Sequence, residues 1–254
     1  MYIERVCNII KYMKGDTLRN KYHIDTKTLI SAAVIIVFLI VLVAVAVNIS
    51  DGKISLSDDT DDIDFDALHK LNPDIIAWIR IDGLPIDYPV LMSGDDKEED
   101  YYLNHKVDGS EGLPACIYVQ KDNSKDFTDP VTVIYGHNML DKSMFASLHN
   151  YEAGRGVSEA GNIIVYLPGE KLTYKVVSVK IFDDSLLLDR YDHFAEAADM
   201  EWFISDMTNI YDERDWVIDK SDRLLKNDGH YIVLSTCTER APEERLLVVA
   251  VRND

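Results

Sequence analysis

Three cysteines in 254 residues are too few to staple a fold. That excludes the disulfide-dense class of small exported domain. Positive charge is also scarce, with 26 Lys and Arg against 45 Asp and Glu and a net charge of -19. A chain this acidic has little basic surface for neutralising phosphates, so nucleic acid is excluded as a partner. Neither HExxH nor CxxC occurs, and a lone Cys with scattered His is a weak ligand set. No metal or other cofactor is expected. There is no internal repeat, and no low-complexity tract apart from one acidic run at 58–62. A hydrophobic share of 47% supplies a real core and excludes wholesale disorder.

The charge is unevenly spread. Residues 1–28 hold six Lys and Arg against Glu4, Asp16 and Asp25, a local net of +3, which leaves -22 for the rest. Between the two regions runs Leu29 to Val47, LISAAVIIVFLIVLVAVAV, in which Ser31 is the one polar residue. Nineteen residues at ~1.5 Å rise reach roughly 28 Å, close to the ~30 Å hydrocarbon core of a bilayer. The run exceeds the ~7–15 residues of a signal-peptide apolar region, although Ala44-Val45-Ala46 could mimic a cleavage site. Basic residues before the run and acidic ones after it place the N-terminus in the cytoplasm and the remainder outside. The expected organisation is a cytoplasmic tail (1–28), a transmembrane anchor (29–47), an acidic linker (48–62) and an extracellular domain (63–254).

Within that domain DFDALHKL (64–71) has helical spacing, with Phe65, Leu68 and Leu71 assigned to one face. IIAWIRIDGLPIDYPV (75–90) reads as two strands around a turn at Asp82-Gly83. Further strands are expected at 114–119, 131–135, 162–167, 171–182, 230–236 and 245–252. Helices are expected at 143–150 and near 196–211. Many short strands with few helices make the fold mainly β, a barrel or sandwich with helical insertions.

Chemistry is sought where strands end. Cys7 falls on the cytoplasmic side, and Cys116 sits in apolar ACIYV as a core residue. Cys237 instead caps Tyr231–Thr236, a segment apolar on both faces. The next strand begins at Arg245, so a hairpin would set Cys237 and Arg245 opposite each other, with paired Cα atoms ~4.5–5.5 Å apart. A guanidinium there favours the thiolate and could hold an oxyanion during acyl transfer. Arg240 competes for that role. Of the seven histidines, His137 follows the strand VTVIY through Gly136, in a strand-end loop of the kind that carries function. His149 and His230 read as structural. The residues alone leave three readings open: a cysteine acyl-transfer enzyme, a cysteine hydrolase, and a non-catalytic anchored binding module.

Three short stretches then act together. Tyr135-Gly136-His137-Asn138-Met139, LSTC at Leu234 to Cys237 and RLLVVA at Arg245 to Ala250 resemble the active-site motifs of sortases. The resemblance covers roughly residues 63–254. It is nearest class B in DFDALHKLNPDIIAWIRIDGLPIDYPVL, in Asp100-Tyr101-Tyr102-Leu103-Asn104 and in the helix expected near 196–211. No aromatic lid of the class C kind stands in residues 50–65. The resemblance implies a sortase-type β-barrel and a cysteine transpeptidase with Cys237 as nucleophile, His137 as acid and base, and Arg245 on the oxyanion. It implies Asn104, Ser235 and Thr236 along the substrate groove. The implied partners are exported proteins with a C-terminal sorting signal cut at Thr-Gly or Thr-Asn, and an amine of peptidoglycan or its cross-bridge.

Overall fold

The computed structural model describes residues 63–153, 160–218 and 225–253, and the expected anchor and linker lie outside them. Among the described residues no helix is long and apolar enough to cross a membrane. Asp64 opens helix α1 (Phe65–Leu71), its carboxylate accepting the Ala67 N–H at 2.9 Å. The expected apolar face is narrower than the sequence suggested. Phe65 is buried and Leu68 half-buried, but Leu71 is 57% exposed. Six residues carry a helix about 600° round its axis, so Leu71 points about 240° away from Phe65.

Strands β1 (Ile75–Ile81) and β2 (Ile86–Leu91) form the expected hairpin, with Ile81 opposite Ile86. Gly83 turns it at φ +78°, a left-handed conformation that costs glycine little. β2 runs parallel to β3 (Ile117–Val119), and β3 antiparallel to β4 (Val131–Tyr135). β4 then lies parallel to β8 (Tyr231–Cys237), which pairs antiparallel with β9 (Glu244–Arg252). β9 pairs with β6 (Glu170–Asp183), β6 with β5 (Asn162–Leu167), and β5 with β1. Eight strands therefore close into a barrel, and the short β7 (Trp216–Val217) hangs on β6. Closure removes the exposed edges an open sheet would leave.

The barrel interior is filled by Ile79, Ile81, Ile134, Ile232, Leu234 and Val248. On the outside of β4, β8 and β9, Val133, Val233 and Val249 meet a second apolar layer. That layer comes from two helices inserted between β6 and β7, α3 (Leu187–Arg190) and α4 (Ala197–Thr208), which bury Leu187, Leu188, Met200, Phe203 and Met207. Each such side chain contributes roughly 1.5–3 kcal/mol when removed from water. Two covered faces explain why β8 reads as an unbroken apolar run rather than an alternating one. The ion pair of Lys180 on β6 with Asp215 is almost wholly buried. Asp215 also accepts from the N–H groups of Ile181 and Tyr211, each at 2.8 Å, so this buried charge is paired and hydrogen-bonded. One expected helix is different in kind. Where a helix was expected over 143–150 there is a short 3₁₀ helix, Ala146–Tyr151. Lys142 and Met144 sit at φ +68° and +56°, outside helical geometry, so no helix can start before them.

Candidate active site

The parallel pairing of β4 with β8 sets Tyr135 beside Ser235. The Gly136 N–H donates to the Ser235 carbonyl at 3.1 Å and carries the ladder one step further. His137 and Cys237, each two residues beyond that rung, therefore leave the barrel side by side. Gly136 is required here by close approach. A Cβ at that position would lie 2.5 Å from the ring of buried Phe145. On the other side of β8 the antiparallel ladder to β9 ends with Cys237 opposite Arg245. Three strand ends thus deliver an imidazole, a thiol and a guanidinium to one place.

That place is a cavity of about 200 Å³ whose walls include His137, Cys237 and Arg245. Ser235 and Thr236 line it too. Both are buried, and the Thr236 hydroxyl oxygen is enclosed with no hydrogen-bond partner among the described residues. Asn104 is exposed, and its neighbour Leu103 stands on the cavity wall. Both belong to the one-turn helix α2 (Tyr101–Asn104), where adjacent residues point about 100° apart, so only one of them faces the strand ends. The far wall, Asp183 to Leu187, comes from the end of β6 and the start of α3. Sequence reasoning missed it, because no local pattern announces which distant loop folds over a strand end.

The cysteines divide as expected. Cys237 is exposed and Cys116 buried, and both are free thiols. Burial, with Asp108 nearby, pushes the Cys116 thiol up to about 12, so it stays protonated and inert. The His137 Nε2–H donates to the Leu103 carbonyl at 2.7 Å, which leaves Nδ1 for proton transfer. Arg245 donates through Nη1 to the carbonyls of Pro242 (2.6 Å) and Glu244 (3.1 Å), while Nε and Nη2 make no hydrogen bond among the described residues. Arg240 is exposed and sits 3.6 Å from exposed Glu213, away from the cavity wall. Arg245, not Arg240, is therefore the arginine of the cavity. Acids crowd its rim. Glu99, Asp100, Asp183 and Asp184 all line it, and burial together with Asp122 and Asp189 raises the Glu99 carboxyl above the usual range. At the surface Asp122, Asp189 and His193 bring potential ligand atoms within 4.8 Å of one another, with no buried donor to single out an ion.

The backbone of Cys237 is held as well. Its carbonyl accepts from Asn138 Nδ2 and from His149 Nε2, each at 3.1 Å. His149 was read from sequence as structural, and nothing in its surroundings along the chain ties it to a cysteine 88 residues away.

Comparison with known proteins agrees with this geometry. The sortase domain model matches residues 79–253. Sortase B of Listeria monocytogenes is 44% identical over 84 residues, and sortase B of Staphylococcus aureus is 32% identical over 87. Each alignment spans about a third of this chain and a third of the relative. Over the fold the likeness is wider. The crystal structure of Clostridium perfringens sortase B aligns at a TM-score of 0.63 and 26% identity, covering 75% of this chain and 100% of that one. The Staphylococcus aureus sortase B–substrate complex aligns at 0.60 and 25% identity, covering 75% and 84%. With a matched domain that takes in all three strand ends bearing His137, Cys237 and Arg245, the chain belongs to the sortase family.

Proposed function

We propose that this chain is a membrane-anchored cysteine transpeptidase that joins exported proteins to an amine of the cell wall. The observation that carries the reading is the meeting of an exposed thiol, an imidazole and a guanidinium in one cavity at three strand ends. The Cys237 thiolate adds to the Thr carbonyl of a Thr-Gly or Thr-Asn bond in the sorting signal. Arg245, through Nε and Nη2, holds the oxyanion. Collapse of the tetrahedral adduct breaks the C–N bond, and His137 gives its proton to the departing amine, leaving a thioester on Cys237. An incoming amine then loses a proton to His137, attacks the thioester carbonyl and releases the thiolate. Every proton is carried by a side chain of this protein.

Ser235, Thr236 and Leu103 form the wall along which the sorting signal lies, and the amine comes from a peptidoglycan stem or cross-bridge. Residues 29–47 hold the enzyme in the membrane, with its N-terminus in the cytoplasm and its catalytic domain outside. A cysteine hydrolase of the kind that orients its His with an Asn fits less well. Asn138 donates to the Cys237 carbonyl, and His137 is held by Leu103.

The test is a mass spectrum of the full chain incubated with candidate sorting-signal peptides. An acyl adduct on Cys237 that an added amine converts to a ligated peptide is the expected result. Turnover in Cys237→Ala would overturn the assignment. Protease shaving of intact wall-less cells checks the topology, since it should remove the catalytic domain and spare the N-terminal tail.

A further inference from the structure

The ring of His149 is held at both ends. Nε2 meets the carbonyl oxygen of Cys237 at 3.1 Å, and Nδ1 meets a carboxylate oxygen of Glu152 at 2.5 Å. The two side chains are only 14% and 8% exposed. A carbonyl oxygen can only accept, so Nε2 carries a proton. Nδ1 then shares a second proton with Glu152.

Among the described residues that line the same flank, the basic side chains sit by other acids. His149 and Glu152 line a second cavity, about 500 Å³, on the flank of Cys237 marked by Thr238. Lys142, from the loop after β4, lies 3.8 Å from Glu239, which follows β8. Arg240 sits by Glu213 at 3.6 Å, and Arg214, ahead of β7, is bound by Asp212 and Glu244. Within this set Glu152 is the carboxylate hydrogen-bonded to the His149 ring.

We propose that His149, charged and held by Glu152, is a positioning residue for Cys237. Its Nε2–H pins the carbonyl of the residue that bears the thiol, where the β8 ladder ends. Its charge, on the backbone side of that residue, adds to Arg245 in favouring the thiolate. The inference rests on Cys237 being the nucleophile.

Full-chain His149→Ala, His149→Gln and Glu152→Gln test it by two readouts. The first is the pH profile of Cys237 alkylation by iodoacetamide, located by peptide mapping, which needs no enzymatic turnover. The second is kcat and KM with a sorting-signal peptide. In His149→Ala, alkylation at pH 7 slows about three- to tenfold and its midpoint moves to higher pH. Its kcat falls about tenfold or more, while KM stays within about twofold. His149→Gln and Glu152→Gln each keep a donor to the carbonyl but lose the charge. Both recover part of the kcat and neither recovers the alkylation profile, a pattern that simple loss of packing does not give. An alkylation profile and kcat within about twofold of the parent in His149→Ala overturn the proposal. If the variants do not fold, nitrogen-15 spectra of His149 in the parent protein decide it. Two protonated ring nitrogens at pH 7 are expected, and a neutral ring overturns the assignment. Retained ligation in Cys237→Ala would instead sink the nucleophile reading, while the alkylation profile still reports on His149.

Discussion

Cys237 and Arg245 are partners on the last rung of the β8–β9 ladder, with the thiol exposed and the guanidinium steadied by the carbonyls of Pro242 and Glu244. Two consequences follow for mutation. Arg245→Lys keeps the charge but loses the planar fork, which cannot then grip the loop carbonyls and an oxyanion together. Its turnover of a sorting-signal peptide should fall by about 10²–10³. Arg240→Ala breaks only an exposed contact with Glu213 and should keep activity within about twofold. Steady-state rates on the two variants check the pair, and the reverse ranking would put the oxyanion on the wrong arginine.

The two described cysteines should behave oppositely toward alkylating reagents. Cys237 is exposed beside a cation, whereas Cys116 is buried with its thiol raised to about 12. Brief iodoacetamide treatment at pH 8, followed by peptide mapping, should label Cys237 and spare Cys116 until denaturant is added. Equal labelling in the native protein would mean that the strand bearing Cys116 opens readily.

Gly136→Ala should damage the site without touching a reacting group. The new methyl would meet Phe145, a fully buried core ring, at 2.5 Å, so the ring or the β4 end must move. Overpacking of this kind costs roughly 1–3 kcal/mol. Movement at Gly136 also displaces His137, so kcat should fall more than stability alone explains. Urea titration and kinetics on the one variant separate the two effects. Unchanged values for both would show that this approach is looser than the structure has it.

The strand ends were legible in the sequence because they rest on local counting. Cys237 closes an apolar run, Arg245 opens the next, and their opposition follows from any hairpin that joins them. His137 stood out through the glycine before it. What could not be read depends on distant segments. The parallel pairing of β4 with β8 joins residues a hundred positions apart, and that pairing is what sets His137 beside Cys237. Leu103, Asp183 and His149 reach the site from three other elements, and each looks ordinary beside its sequence neighbours. The helix expected over 143–150 is cut down to the 3₁₀ helix Ala146–Tyr151 for a local reason, the left-handed residues Lys142 and Met144, which composition does not reveal.

Acid should loosen the loop behind the site before it unfolds the barrel. Arg214 donates through both terminal nitrogens to Glu244, at 2.7 and 2.8 Å, and Thr238 adds a hydroxyl donor at 2.7 Å. These contacts, led by Arg214, hold the Glu244 carboxyl down at about 2. Glu244 immediately precedes Arg245, and Thr238 immediately follows Cys237, so the network clasps the β8–β9 connection at its base. An unfolded glutamate titrates near ~4.3, so between about pH 4.3 and 2 the unfolded chain binds the proton that the folded one refuses. The stability Glu244 contributes is therefore complete above about 4.3 and is lost as pH falls through about 2. Glu244→Gln removes the charge at every pH and should cost roughly 1.5–3 kcal/mol at pH 7, the range for a hydrogen bond to a charged group. The gap between parent and variant should narrow at pH 3 and nearly close at pH 2. Urea titrations at the three pH values measure it. A gap of constant size would mean that the pair contributes by shape rather than by charge.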